Sequence, residues 1–221
     1  MSRHLTDLLD DLKTRVARMS ALVQQIVEQA IESVLDADPE LARKTIESDR
    51  RIDDEEVKVE QSAIDLLALH QPAAGDLRLI TTVIKINSDL ERIADCAVNV
   101  AQRVLPLAQD DNYEPPADLR LMCTSVVANL RDAVKAFNLS DADLARQVVR
   151  NDDVVDALYH QIVQDMLTRM QSADGRRDAS IELSHVMIAK NLERIADHCT
   201  NIAEDVIYVR SGRIVRHLHV V

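Results

Sequence analysis

LERIADCAVNVAQRV, which begins at Leu90, returns near the end of the chain as LERIADHCTNIAEDV, which begins at Leu192, 102 residues later. A second pair of related stretches lies upstream of each. ARKTIESDRRID begins at Ala42, and ARQVVRNDDVVD begins at Ala145, 103 residues later. Self-similarity at a fixed period indicates a structure built from repeated units. The chain of 221 residues therefore consists of two copies, each of about 105 residues, the size of a small domain.

Apolar residues recur with a helical period through both copies of this stretch. In the first copy they alternate by four and three over nine positions: Leu79, Val83, Ile86, Leu90, Ile93, Ala97, Val100, Val104 and Leu107. In the second copy the corresponding positions hold Ile181, His185, Ile188, Leu192, Ile195, Cys199, Ile202, Val206 and Val209. Such a stripe is typical of a long helix that packs against two neighbours in a bundle.

Helix-breaking residues divide the chain into six stretches of roughly 20 to 35 residues, long for globular helices. The breaks are Asp38-Pro39, Pro72 to Gly75, Pro106 with Asp110 to Pro116, Ser140 as a helix N-cap, and Ser172 to Gly175. We therefore predict an all-α fold of six long helices in two tandem three-helix bundles. The expected bounds are 1–108 for the first bundle, 116–212 for the second and 213–221 for a C-terminal tail.

Composition supports helices and excludes several classes of protein. Hydrophobic residues make up 47% of the chain but aromatic residues only 2%, with three Gly and five Pro. A β-sandwich needs more turns and usually more aromatic residues. The net charge of −12 argues against nucleic acid as a partner, because like charges repel phosphate backbones. It also argues against direct docking on anionic lipid.

The location of the protein is predicted from three further observations. The three cysteines, Cys96, Cys123 and Cys199, form no CxxC pair, and an odd count fits a reducing compartment. The first residues, MSRHLTDLLDDLK, lack the apolar core of a secretion signal. No run of about 18 apolar residues exists to span a membrane. We therefore expect a cytoplasmic protein.

The repeated polar feature is a pair of acidic residues four positions apart. The pairs are Asp49/Asp53, Glu91/Asp95, Asp152/Asp156 and Glu193/Asp197. On a helix each pair lies on one face, about 5 to 6 Å apart, where like charges repel. Glu91 and Asp95 point roughly opposite the apolar stripe, towards the bundle exterior. If neighbouring helices pack antiparallel, pairs from two helices converge into a carboxylate surface that suits a cation with oxygen ligands.

A simpler alternative is a solvated acidic face that Arg50, Arg51 and Arg92 neutralise, and the sequence leaves it open. The histidines add little to a metal site. His185 occupies an apolar-stripe position and is expected in the core or at a bundle end, and His198 points about 100° away from the neighbouring Asp197.

A catalytic or iron-storage site is not predicted. Glu182 and His185 form one Glu-x-x-His motif, whereas a di-iron bundle needs two on different helices. Cys96 and Cys199 are expected as small core or boundary residues rather than nucleophiles. Without a Gly-rich phosphate loop, a Ser/His/Asp set or a Cys/His pair, the chain is predicted not to be an enzyme.

These motifs resemble the PhoU family of phosphate-transport regulators. The resemblance covers essentially the whole chain and rests on the stretches Pro72–Arg78, Lys85-Ile86, Asp89–Asp95, Asn99–Ala101, Leu192–Asp197, Asn201–Glu204 and Gly212–His217. It implies that the two bundles are related by pseudo-twofold symmetry. It also implies that the acid pairs Asp49, Asp53, Glu91, Asp95, Asp152, Asp156, Glu193 and Asp197 hold multinuclear iron or zinc clusters.

The family also implies a function and partners. A member would link the ATPase subunit of a phosphate ABC transporter to a sensor histidine kinase and repress phosphate-starvation genes. We expect a homodimer that reaches the membrane only through these partners. A metal-storage protein and a purely structural helical scaffold are the alternatives. The chain departs from the family pattern at the doublet Asp152-Asp153, and Asn191 stands where the first copy has Asp89.

Overall fold

The chain folds as an all-α protein in a computed structural model that describes residues 3–110, 113–171 and 179–215. The helices are α1 (Arg3–Leu35), α2 (Pro39–Ser48), α3 (Arg50–His70), α4 (Ala74–Gln102), α5 (Val104–Leu107), α6 (Ala117–Leu139), α7 (Ala142–Gln171) and α8 (Ala179–Ser211). No strand occurs in these ranges. Seven of these eight elements form the six predicted long helices, because α2 and α3 together correspond to one helix interrupted at Asp49, and α5 is a single turn.

The helices pack as two three-helix bundles, as predicted. In the first bundle α1 packs against α2, α3 and α4, and in the second α6, α7 and α8 pack against one another. The bundles meet where α4 lies along α8 and α1 contacts α6. The predicted break at Ser172 to Gly175 and residues 216–221 of the predicted tail lie outside the described residues. No helix among the described residues is long and apolar enough to cross a membrane.

The predicted apolar stripes form the core of each bundle. On α4 every stripe residue from Val83 to Val100 is buried, and Leu79 is half-buried at the start of the helix. On α8 the residues from His185 to Val206 are buried in the same way. Each fully buried Leu, Ile or Val side chain stabilises the fold by about 1.5–3 kcal/mol relative to an exposed one. The repeated period therefore determines which faces of α4 and α8 turn inward.

His185 confirms the expectation of a core histidine, because only 1% of its surface is exposed. Its Nε2 lies 3.2 Å from the hydroxyl of Tyr113, in the connection between the bundles. Its Nδ1 lies 3.7 Å from a carboxylate oxygen of Glu182, which is also buried. Cys96 and Cys199 are buried thiols, as expected.

The turn between the first two helices of each bundle is repeated in detail. Asp38 Oδ1 accepts hydrogen bonds from the N–H groups of the second and third residues after it, at 2.9 and 3.0 Å, and so caps α2. Asp141, 103 residues later, caps α7 with two bonds of 3.0 Å. The residues before these caps, Ala37 and Ser140, both have positive φ, 48° and 51°.

The prediction that Ser140 caps a helix N-terminus was wrong by one residue. Ser140 ends α6 in the left-handed conformation, and its N–H bonds back to that helix. Its backbone is therefore still part of the preceding turn, so the next residue, Asp141, provides the side-chain oxygen for the following helix. A carboxylate also interacts more favourably than a hydroxyl with the positive end of the helix dipole.

Candidate metal centres

The first acidic cluster consists of Asp49, Asp53, Glu91 and Asp95 and lies where α3 packs along α4. Asn87 helps to align the two helices, because its side-chain amide donates a 2.9 Å hydrogen bond to the backbone carbonyl of Glu56. Partial burial raises the pKa of Asp49, and the negative charges of Asp53 and Asp95 raise it further. The acid pairs of two helices thus converge, as the sequence predicted.

A fifth acid, Glu56, also belongs to this surface, because its charge acts on Glu91. Burial is the main cause of the raised pKa of Glu91, followed by the charges of Asp95 and Glu56, while Arg92 opposes the shift. The pKa of Glu56 is raised by burial and by Glu60 and Asp53. The charges that act on these carboxyls are thus mainly those of other acids. Glu56 was not among the predicted ligands, although it follows Asp53 on the same face of α3.

The second acidic cluster consists of Asp152, Asp156, Glu193 and Asp197, on α7 and α8. Burial raises the pKa of Asp152 to about 6, and repulsion by Asp156 and Asp197 adds to the shift. The next residue, Asp153, is exposed. In the doublet that departs from the family pattern, Asp152 is therefore the residue that faces the other acids.

One oxygen of Asp152 is buried without a hydrogen bond to any residue that the structure describes. The Thr200 hydroxyl lies close to this carboxylate and lowers its pKa slightly. That hydroxyl oxygen makes no hydrogen bond of ordinary geometry either. A buried carboxylate oxygen without a donor is costly, and a bound cation would satisfy it.

A lysine contacts the second cluster directly. Lys190 Nζ donates to both carboxylate oxygens of Glu193, at 2.8 and 2.7 Å. Burial raises the pKa of Asp197, as do Glu193 and Asp156, while Lys190 and His198 lower it. Sequence reasoning missed Lys190. Its position three residues before Glu193, on a helix that places such residues side by side, was the available signal.

The two clusters also differ in backbone structure. In the first copy the helix is interrupted at Asp49, whose carbonyl accepts bonds from the N–H groups of Ile52 at 2.7 Å and Asp53 at 3.2 Å. In the second copy α7 runs without interruption through Asp152. The backbone at Asp49 therefore forms a tightened turn, whereas the backbone at Asp152 is regular α-helix.

The donor set of both clusters fits a hard or borderline cation, since carboxylate oxygens are ligands for Mg²⁺, Mn²⁺, iron and zinc. Within the described ranges, however, no group of three or more His, Cys, Asp or Glu side chains is already arranged to hold an ion. The eight-residue ligand set stays a prediction.

His198 contacts an acid of the other bundle rather than a predicted ligand of its own, and so joins the two bundles. Its Nδ1 lies 2.8 Å from Oδ1 of Asp89 on α4, and the amide of Asn201 donates to the same oxygen at 3.3 Å. Lys85 on α4 makes an ion pair across the same interface, 3.3 Å from the buried Asp205 on α8. These contacts show that α4 and α8 run antiparallel.

The PhoU domain family matches this chain twice, over residues 16–104 and 119–206. The phosphate-specific transport system accessory protein PhoU homolog of Aquifex aeolicus is 39% identical over 212 residues, 96% of this chain and 95% of the relative. The homolog of Pseudomonas aeruginosa is 36% identical over 219 residues, 99% of this chain and 90% of the relative.

Solved structures agree with the sequence matches. The crystal structure of PhoU from Pseudomonas aeruginosa has a TM-score of 0.89 at 35% identity, and it aligns 94% of this chain with 99% of that one. The phosphate transport system regulatory protein PhoU from Streptococcus pneumoniae has a TM-score of 0.88 at 26% identity, with coverage of 96% and 99%. Together with the two three-helix bundles and their converging acid pairs, these matches establish that the chain belongs to the PhoU family.

Proposed function

We propose that this chain is a regulator of phosphate-specific transport and acts by binding other proteins rather than by catalysis. The observation that carries the proposal is the family match in both halves of the chain, with relatives that are named as accessory proteins of that system. The fold is compatible with this role, because its long helices present broad, rigid faces.

We further propose that the chain is an adaptor between the ATPase subunit of a phosphate ABC transporter and a sensor histidine kinase. Two quasi-equivalent bundles offer two surfaces that can be engaged together. To carry a signal, the adaptor must bind one conformation of the transporter more tightly than another, because equal affinity shifts no equilibrium. The kinase would then be held inactive when phosphate is ample.

A phosphate-starvation reporter in a strain that lacks the gene tests this function. Deletion is expected to switch the reporter on in phosphate-rich medium, and the intact gene is expected to restore repression. Pull-down from membranes at high and low phosphate should capture the transporter and kinase in a phosphate-dependent way. A silent reporter accompanied by altered cellular iron or zinc would favour the metal-storage alternative. Light scattering would test the expected homodimer.

Both acidic clusters are proposed to hold multinuclear iron or zinc, with ligands from Asp49, Asp53, Glu91 and Asp95 in the first bundle and Asp152, Asp156, Glu193 and Asp197 in the second. The support is the convergence of half-buried carboxylates and the buried Asp152 oxygen without a donor. Bound metal would neutralise the repulsion between these acids. Elemental analysis and anomalous scattering from metal-soaked crystals test the assignment, and finding no ion near any of the eight residues would favour the solvated face.

A further inference from the structure

The two acidic clusters carry similar acid pairs but different neighbours. In the second cluster the Lys190 ammonium contacts both oxygens of Glu193 and lies 5.3 Å from the centre of the Tyr159 ring. Glu193 is the more buried partner, with 15% of its side chain exposed against 45% for Lys190. A cation held by a carboxylate and an aromatic face at once is well fixed.

The repeat shows what occupies these places in the first cluster. A shift of 102 residues along the α4 and α8 stretches places Ser88 at the position of Lys190. A shift of 103 along the α3 and α7 stretches places Glu56 at the position of Tyr159. Buried core residues confirm this second register, since Ile52 and Val155 occupy matching positions. The first cluster therefore has an additional acid, Glu56, at the position where the second cluster has Tyr159, whose ring lies against Lys190.

We propose that Lys190 is an internal counter-ion of the second cluster, so that the first cluster is the tighter site for a divalent cation and fills first. This inference rests on the proposed metal binding. The acids that act on one another in the first cluster extend to Glu56 and Glu60, and a serine stands where the lysine would be. The second cluster also includes the charge of Asp153, but the Lys190 ammonium contacts this cluster directly. Arg92 acts on Glu91 in the first cluster, and Arg194 is its repeat equivalent on α8.

Lys190 competes with metal in two ways. It donates a hydrogen bond to each oxygen of Glu193 and so takes up part of the lone-pair capacity that an ion would use. Its charge also lies close enough to Asp197 to interact with it, and it therefore repels a second cation nearby. We expect removal of this competing charge to tighten binding about tenfold, which corresponds to about 1.4 kcal/mol.

Manganese(II) titrations of full-length variants test the proposal, with calorimetry to measure affinity and paramagnetic resonance to count bound ions. Asp53→Asn with Asp95→Asn disables the first cluster and isolates the second. On this background Lys190→Met is expected to tighten manganese binding about tenfold. Lys135→Met, at an exposed lysine on α6 away from the acid pairs, makes the same change in net charge and should leave the affinity unchanged.

The reverse substitution tests the first cluster. Asp156→Asn with Asp197→Asn disables the second cluster, and Ser88→Lys on that background should weaken manganese binding about tenfold. If both isolated clusters bind manganese with equal affinity, or if Lys190→Met has no more effect than Lys135→Met, the proposal is overturned. If neither isolated cluster binds any of manganese, iron or zinc, the proposed metal function fails first and this inference with it.

Thermal unfolding in chelating buffer examines Lys190 without metal. Loss of the counter-ion should lower the Tm of Lys190→Met by about 2–4 °C, because Glu193 is left among other acids. Lys135→Met should not change the Tm. Added manganese should reverse the loss in Lys190→Met, since the metal replaces the missing positive charge. An unchanged Tm for Lys190→Met would contradict the counter-ion role even if metal binds elsewhere.

Discussion

Replacement of Asp152 by Asn should stabilise the metal-free protein near pH 7.5. The Asp152 pKa rises from 3.8 to about 6 on folding, with burial as the main cause. Each pKa unit corresponds to about 1.4 kcal/mol, so the full shift corresponds to about 3 kcal/mol. Because the side chain is only half-buried, solvent screening reduces this to about 1–2 kcal/mol. Asn keeps the shape and removes the charge, and the free energy of unfolding should rise by that amount.

The sign of the pH dependence follows from the same shift. Between pH 4 and 6 the native protein holds a proton on Asp152 that the unfolded chain has lost. Stability therefore rises as pH falls through this range. The ionised Asp152 carboxylate destabilises the native protein fully above about pH 6, and this effect disappears near pH 4. The advantage of Asp152→Asn over the unmodified protein should shrink over the same interval and vanish at its acid end.

Urea unfolding followed by circular dichroism, in chelating buffer from pH 4 to 8, measures this difference. Asp153→Asn is the matched control, since it removes the same charge from the exposed neighbour and should change stability by less than about 0.5 kcal/mol. With saturating metal the order should reverse, because the variant lacks a ligand. A pH-independent gain, or an equal gain for Asp153→Asn, would refute the assignment of Asp152 as the strained carboxylate.

The remaining predictions concern the fold. Asp38→Ala and Asp141→Ala each remove two capping hydrogen bonds, so each should lower the free energy of unfolding by about 1 kcal/mol in urea titrations, and the two losses should be similar. Ser140→Gly should raise the Tm slightly, by the equivalent of about 0.5–1 kcal/mol, because glycine adopts positive φ without strain. Ile93→Ala empties a fully buried position on α4 and should cost about 2–5 kcal/mol by chemical denaturation.

The sequence was sufficient to predict the fold because helical period and repeat length are properties of the chain alone. The burial of Ile93 follows from its place in the stripe, and the convergence of Asp53 with Asp95 follows from the packing of two such helices. The contact of Lys190 with Glu193 depends on rotamers and was missed. The pairing of His198 with Asp89 depends on how the bundles meet, which no local pattern specifies.

The interface between α4 and α8 has a consequence for how the halves recognise each other. Lys85 and Asp205 contact each other, and the repeat-equivalent positions hold Met187 and Arg103. Asp89 and His198 also contact each other, and their equivalents are Asn191 and Cys96. If two copies of the first bundle paired through this surface, Lys85 would lie against Arg103. If two copies of the second bundle did so, Asp205 would lie against Met187. We therefore expect each bundle to pair with the other bundle rather than with a second copy of itself. A chain cut between the bundles should reassemble as a one-to-one heterodimer.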